Sequence, residues 1–188
     1  MVLIYEFGLF QVELYNDEIY SRDSADNKYK YDFYYFNSLD EDSLSSKCAV
    51  RVLKDEKVYR SAILIAGGGG KTSVHQNAAL IDGQNLIDIL GDSIFSLNLP
   101  DLGLNWCLKC EDSVCLGLYQ IPNGYLIHGE QSITKVNQKG KIDWQLYGRD
   151  IFVTPEGLDN FVIKGDRIEV KDWDYNIYYI DFSGKEIK

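Results

Sequence analysis

The sequence predicts an all-β protein in which antiparallel hairpin units follow one another in tandem behind an aromatic-rich N-terminal β subdomain. Three observations predict this. The 188-residue chain carries 14 Tyr, 8 Phe and 3 Trp against a single Met, side chains that suit a pleated, half-buried surface better than a helix. Short apolar runs recur at a spacing of roughly 8–12 residues between turn signals, and no amphipathic stretch of helical length intervenes. One ribbon phrase also appears three times, starting at Ile94, Ile133 and Ile177, with offsets of 39 and 44 residues. A period of roughly 40 residues marks stacked supersecondary units.

The elements follow in order. Val2 to Phe10 and Gln11 to Tyr20 read as strands, with Val12 and Leu14 alternating against Glu13 and Tyr15 and a turn at Asn16-Asp17. Residues 21–28 are polar and turn-rich, an exposed loop. Tyr29 to Asn37 is the most aromatic stretch and reads as a strand. Residues 38–46 form a second polar loop, with one helical turn capped by Ser38. Ala49–Leu53 and Val58–Ala66 make a hairpin across Lys54-Asp55-Glu56-Lys57. Four consecutive glycines, Gly67 to Gly70, stabilise neither helix nor strand and mark the best internal boundary. The predicted organisation is therefore an N-terminal β subdomain over 1–66, a Gly-rich loop over 67–77 and β repeats over 78–188. Within the last, further strands are expected at Ala78–Ile81, Leu86–Leu90, Val114–Ile121, Tyr125–Gly129, Ile151–Thr154, Phe161–Lys164 and Ile168–Val170.

Each copy of the phrase has a local cause. An alternating strand ends in Asn98, Asn137 or Asp181, whose side chain bonds its own backbone and favours a turn. Gly140 and Gly184 supply the positive φ that closes it, and Lys141 or Lys185 follows in solvent. The return strand places Leu104 with Trp106, or Ile142 with Trp144, two residues apart and on one face, where the indole is expected to cover inter-sheet core. The first copy pairs Gly103 with this glycine position but carries Pro100-Asp101 in the turn. The phrase resembles the blades of PQQ-type β-propellers, whose hairpins read apolar strand, Asp, two residues, Gly-Lys, apolar, Trp. The resemblance covers residues 78–188 and implies propeller-like blades arranged radially. So few units imply an incomplete propeller or open β arc, closed by the N-terminal strands or by a second subunit, so that a homo-oligomer is one expectation. No vicinal Cys pair is present, and no cofactor is implied. A repeat carries fold, not activity.

Composition excludes several functions. With 19 Lys and Arg against 29 Asp and Glu the formal charge is −10, a sign that repels phosphate backbones and argues against nucleic-acid binding. No apolar run reaches the roughly 18 residues of a membrane helix. The N-terminus lacks a basic region and reaches Glu6 early, unlike a signal peptide. A cytoplasmic protein is expected, with Cys48, Cys107, Cys110 and Cys115 as thiols.

Candidate chemistry is sparse. Gly70-Lys71-Thr72 after an apolar strand invites a phosphate-loop reading, but Ile65 stands where that loop needs its first glycine. Gly91-Asp92-Ser93 resembles the nucleophile block of SGNH-type esterases, which implies a small hydrolase using Ser93. Such a serine needs a histidine base, and neither His75 nor His128 has an Asp three residues before it. Cys107, Cys110 and Cys115 lack a second paired ligand set, so no metal site is expected. Asp172, Asp174 and Asn176 have the spacing of a calcium loop, but Ile177 and Ser183 occupy the positions of its Gly and Glu. What remains is a non-catalytic binding protein. Its acidity favours an immunity-type complex with a basic protein, engaged through the partner-binding residues Asp40, Glu41 and Asp42. The Tyr-rich stretch from Tyr29 to Phe36 is the other option, as a carbohydrate platform.

Overall fold

The computed structural model describes residues 1–37, 44–157 and 160–187. These form four sheets and no helix. The first holds β1 (Val2–Phe7), β2 (Phe10–Asn16), β3 (Phe33–Phe36), β4 (Ser46–Lys54) and β5 (Lys57–Ala66) in the order β1-β2-β4-β5-β3. The second is a meander of β6 (Ala79–Asp82), β7 (Asn85–Leu90), β8 (Ser93–Asn98) and β9 (Leu104–Lys109). The third repeats it with β10 (Cys115–Ile121), β11 (Gly124–Gly129), β12 (Ser132–Asn137) and β13 (Ile142–Tyr147). The fourth has β14 (Phe161–Lys164), β15 (Arg167–Lys171) and β16 (Ile177–Asp181). The fold is all-β and propeller-like, as the tandem hairpins require.

The first sheet follows the same plan as the others. Its antiparallel strands β1, β2, β4 and β5 are a four-stranded meander, and only β3 is added, parallel to β5 with Phe33 opposite Ala62 and Phe36 opposite Ile65. A register shift falls at the same place in three sheets, between Val52 and Leu53, Ser96 and Leu97, and Lys135 and Val136. The turn in the first sheet uses Asp55 and Glu56 in left-handed backbone (φ 49° and 60°) where a later copy uses glycine. In the second sheet Leu102 (φ 60°), not Gly103, takes the left-handed position, because this turn holds one residue more: Asn98 N–H bonds the Gly103 carbonyl, whereas Asn137 N–H bonds Lys141. The Tyr29–Asn37 strand shortens to β3. Ile151–Thr154 is not a strand but a connector whose Phe152 N–H bonds Glu130 of the preceding sheet at 2.6 Å. The helical turn expected after Ser38 lies outside the described residues.

Three apolar layers join consecutive sheets. Val12, Leu14, Val50 and Leu64 meet Phe95, Leu97, Leu99 and Leu102 between the first and second. Ile87, Ile89 and Ile94 meet Tyr125, Ile127 and Val136 between the second and third. Leu126 and Ile133 meet Phe152, Ile168, Val170 and Ile180 between the third and fourth. No layer among the described residues joins the fourth sheet to the first, so the blades form an open arc. The far face of the fourth sheet carries Lys164 paired with Glu169 at 2.7 Å and Arg167 5.5 Å over the Tyr179 ring, beside the exposed Val162 and Ile177. On the far face of the first sheet, Tyr20 and Tyr31 cover Ala49 and Ile63.

Trp106 and Trp144 pack against the second and third layers and also reach the next hairpin. Trp106 lies against Gly140 of the next sheet, where a Cβ would come within 2.5 Å of the indole, and its Nε1–H donates to the Gln138 carbonyl at 3.3 Å. Trp144 repeats the contact on Gly184, again at 2.5 Å, and donates to Phe182 at 3.1 Å. Each half-buried indole therefore clasps the hairpin of the following blade. The first sheet lacks this tryptophan, and Tyr35 and Tyr59 reach the second sheet's turn instead, at the Leu102 carbonyl (2.9 Å) and Asp101 (3.2 Å). Gly184→Val both strains a φ of +85° and displaces the Trp144 ring. It is expected to cost about 3 kcal/mol in urea denaturation, while Gly165→Val, whose Cβ meets nothing within 4 Å, bears only the backbone strain and costs less.

Asp88 on β7 is buried between the first two sheets with neither carboxyl oxygen in a hydrogen bond. Burial pushes its carboxyl well above the ordinary range, with the facing Cys48 thiol opposing. The folded state thus keeps a proton that the unfolded chain releases above about pH 4, so stability falls as pH rises from there toward the folded value. Asp88→Asn removes this slope. In urea melts the variant should match the parent near pH 4 and exceed it by a margin that grows as the pH is raised toward 8.

Candidate functional site

The blades differ most in the link between their second and third strands. In the second and third sheets this is a tight turn at Gly91-Asp92 and Glu130-Gln131, and in the fourth it spans 172–176. In the first sheet, residues 17–45 fill the same link. This insertion supplies β3 and lays Tyr20, Tyr29 and Tyr31 over the outer face of the sheet. Tyr31 is fixed there by its hydroxyl, which donates to Asp17 at 2.5 Å. Burial and then this bond to Asp17 push the phenol far above its ordinary range, so it stays a donor.

Strand alternation divides the aromatic run. Phe33 and Tyr35 turn inward, ring centroids 5.9 Å apart, onto the layer facing the second sheet. Tyr34 and Phe36 turn outward and stay 45% and 37% exposed. They border a cleft of about 780 Å³ with Tyr20, Arg22, Tyr29 and Lys30. The Arg22 guanidinium lies 5.6 Å from the Phe36 ring centre, and Tyr20 lies 6.2 Å from Tyr34. Beyond Tyr29 a second hollow of about 650 Å³ is lined by Ile4, Glu13, Lys28 and Arg51 among others. Asp40, Glu41 and Asp42 lie outside the described residues. The chain on either side of them is anchored at one place, Asn37 N–H to Ile65 and Ser45 N–H to Ala66 at the end of β5.

Ser93 has no catalytic surroundings. It is fully buried, donates to Asp92 at 2.8 Å and accepts from Asn37 Nδ2 at 2.7 Å. Asp92 also meets Lys109 at 3.3 Å, and its backbone N–H bonds Gly67 at 2.9 Å. His75 accepts the Asn77 N–H at 3.3 Å, and His128 bonds the Phe152 carbonyl at 2.8 Å, so neither imidazole serves Ser93. The cluster ties the glycine loop to the second sheet's corner: a Cβ on Gly68 would come within 2.4 Å of the Ser113 carbonyl, and one on Gly91 within 1.9 Å of the Gly67 carbonyl. These glycines allow backbone to meet backbone, not backbone to meet phosphate.

The other candidates are also structural. Cys107 packs into the layer between the first and second sheets, whereas Cys110 and Cys115 meet each other, Sγ to Sγ 3.7 Å, in the next. The CxxC spacing places its two thiols in separate layers. Among the described residues no three His, Cys, Asp or Glu side chains converge as a metal site would. Asp172, itself buried, accepts from Asn176 N–H (2.9 Å) and Tyr178 Oη–H (2.8 Å), closing an exposed turn. Glu111 is buried and satisfied by the N–H groups of Asp112, Ser113 and Ser132 and by the Ser132 hydroxyl. Sequence reasoning missed Tyr20, Arg22 and Lys30 as cleft walls. The one available signal was the length of chain between β2 and β4.

No family model and no curated protein matches the chain. Solved structures similar to it include the Neurospora crassa Pan2 WD40 domain (14% identity, TM-score 0.47, 60% of this chain and 36% of that one). BamB from Moraxella catarrhalis gives 13% identity, TM-score 0.48 and 78% against 42%. Dihydro-heme d1 dehydrogenase NirN in complex with DHE gives 14% identity, TM-score 0.49 and 76% against 32%. The chain thus spans less than half the length of each of these three. The fold description rests on the strand pairing above. Ser93→Ala is expected to cost about 1 kcal/mol in thermal or urea denaturation, the value of a buried neutral hydrogen bond. Asp92→Ala, which strips Ser93, Asn37 and Lys109 of one shared acceptor, should cost at least twice that.

Proposed function

We propose that the protein is a non-catalytic binding protein whose recognition element is the 17–45 insertion, and that its partner is a basic protein. The observation that carries this reading is the departure of the first blade from its own repeat. A link of two to five residues elsewhere becomes a long insertion here, with outward aromatic rings and an acidic triplet. Long connections on a rigid scaffold are where recognition concentrates. The net charge of −10 favours a cationic partner and speeds encounter with it. Tyr34 and Phe36 supply exposed apolar rings for anchoring, as binding centres do.

The test is affinity capture from the native host, followed by kinetics with the purified partner. Replacing Asp40, Glu41 and Asp42 together with Lys should slow association about tenfold or more and flatten its salt dependence. Tyr34→Ala with Phe36→Ala should act chiefly on dissociation. Unchanged rates in both variants would remove the proposal. A second reading has one observation in its favour: Tyr34 and Phe36 present exposed rings on one cleft wall, as a carbohydrate platform does. Binding to a glycan array, lost in the same double alanine variant, would decide for it.

A further inference from the structure

A different pocket lies between the third and fourth sheets. It has a volume of about 420 Å³, and its walls include Asn77, Tyr119, His128, Asn160 and Phe161. That volume is in the range of small-ligand sites. His128 is only 5% exposed. Its Nε2 lies 2.8 Å from the Phe152 carbonyl, an atom that only accepts, so Nε2 carries the proton. Asn160 Nδ2 donates to the same carbonyl. Burial holds the imidazole down to about 4, against the opposite pull of that carbonyl, so the ring is neutral at pH 7. Nδ1 is then a lone-pair acceptor with no partner among the described residues.

The repeat shows how unusual this is. His128 pairs with Ile133, as Ile89 pairs with Ile94 and Leu14 with Val50 in the two preceding sheets. Those three strand partners each lie two residues before the shared register shift. Leu14 and Ile89 are ordinary buried core residues at this position. An imidazole has replaced an aliphatic side chain exactly where a pocket opens, and a departure from local consistency of this kind marks a functional position.

The lining also limits the occupant. Among the described residues no wall side chain is charged, so none of them offers an ionic ligand a counter-charge for its lost hydration. The faces of Phe161 are taken, by His128 at 4.8 Å and Tyr119 at 4.7 Å, in near-parallel stacks. No gap between rings is left for a planar base. Two carboxamides, one phenol and one imidazole acceptor suit a molecule with several hydroxyl groups.

We propose that this pocket binds a small neutral polyol of monosaccharide size, one hydroxyl donating to His128 Nδ1 and others exchanging hydrogen bonds with Asn77 and Asn160. The site is separate from the insertion and does not depend on the reading given for it.

The experiment titrates the full chain with glucose, galactose, mannose and myo-inositol, and with the charged analogues glucuronate and glucosamine, following the Tyr119, His128 and Phe161 ring resonances by NMR, and those of Tyr119 and Phe161 in the His128→Phe variant. At least one neutral polyol should shift them saturably with a millimolar or tighter constant, and the charged analogues should bind at least about tenfold more weakly. His128→Phe, which keeps the stack on Phe161, should weaken binding about tenfold or more. Leu116→Trp, on the pocket wall, should abolish it by filling the space, and it keeps the test open if the first variant folds poorly. No saturable shift with any neutral polyol, equal binding of the charged analogues, or undiminished binding by a folded His128→Phe variant would overturn the proposal.

Discussion

The seating of an indole on the glycine of the next hairpin is the contact on which the arc depends. The apolar layers between sheets are non-directional and tolerate sliding. The Trp106–Gly140 and Trp144–Gly184 clasps are not, because each combines a close ring-to-backbone approach with a hydrogen bond to one named carbonyl. They set the position of one blade on the next. The same turns require a positive φ, so one glycine meets two demands at once, and this is why the phrase recurs in the sequence at all.

The first blade meets the same need differently, and its insertion follows from that. Without a tryptophan it reaches the second blade through Tyr59 and through Tyr35, a residue that belongs to the insertion. The aromatic strand β3 thus has two jobs divided by its alternation. Phe33 and Tyr35 face the neighbouring blade, while Tyr34 and Phe36 face the cleft. A cleft wall built this way is held in place by the scaffold it decorates.

Much of the fold was legible because its causes are local. Strand alternation, the turn at Asn137 to Gly140 and the Asp181 to Gly184 turn can be read from a few adjacent residues. The first blade's kinship was not legible, since Asp55 and Glu56 take the backbone conformation that glycine signals elsewhere. The role of the indoles was legible only in part: Trp106 and Trp144 pack against the inter-sheet layers as expected, but placing Trp144 on a strand face does not tell that it also meets a neighbouring turn. The sites were least visible. Tyr20, Tyr34 and Phe36 come together only because the insertion folds over the sheet, and His128 acquires Asn77, Tyr119 and Asn160 from three other segments. Conversely, Gly91-Asp92-Ser93 and the CxxC pair looked chemical in one dimension and proved to be a corner and two separate core positions.

Clasps and layers together make the four blades one cooperative unit. All three tryptophans lie in the second to fourth blades, and none in the first. Urea unfolding followed by indole fluorescence therefore reports the last three blades, while far-ultraviolet circular dichroism reports all four. The account predicts a single transition with the same midpoint by both probes. Two transitions, with the dichroism signal changing at a urea concentration where the fluorescence does not, would contradict it.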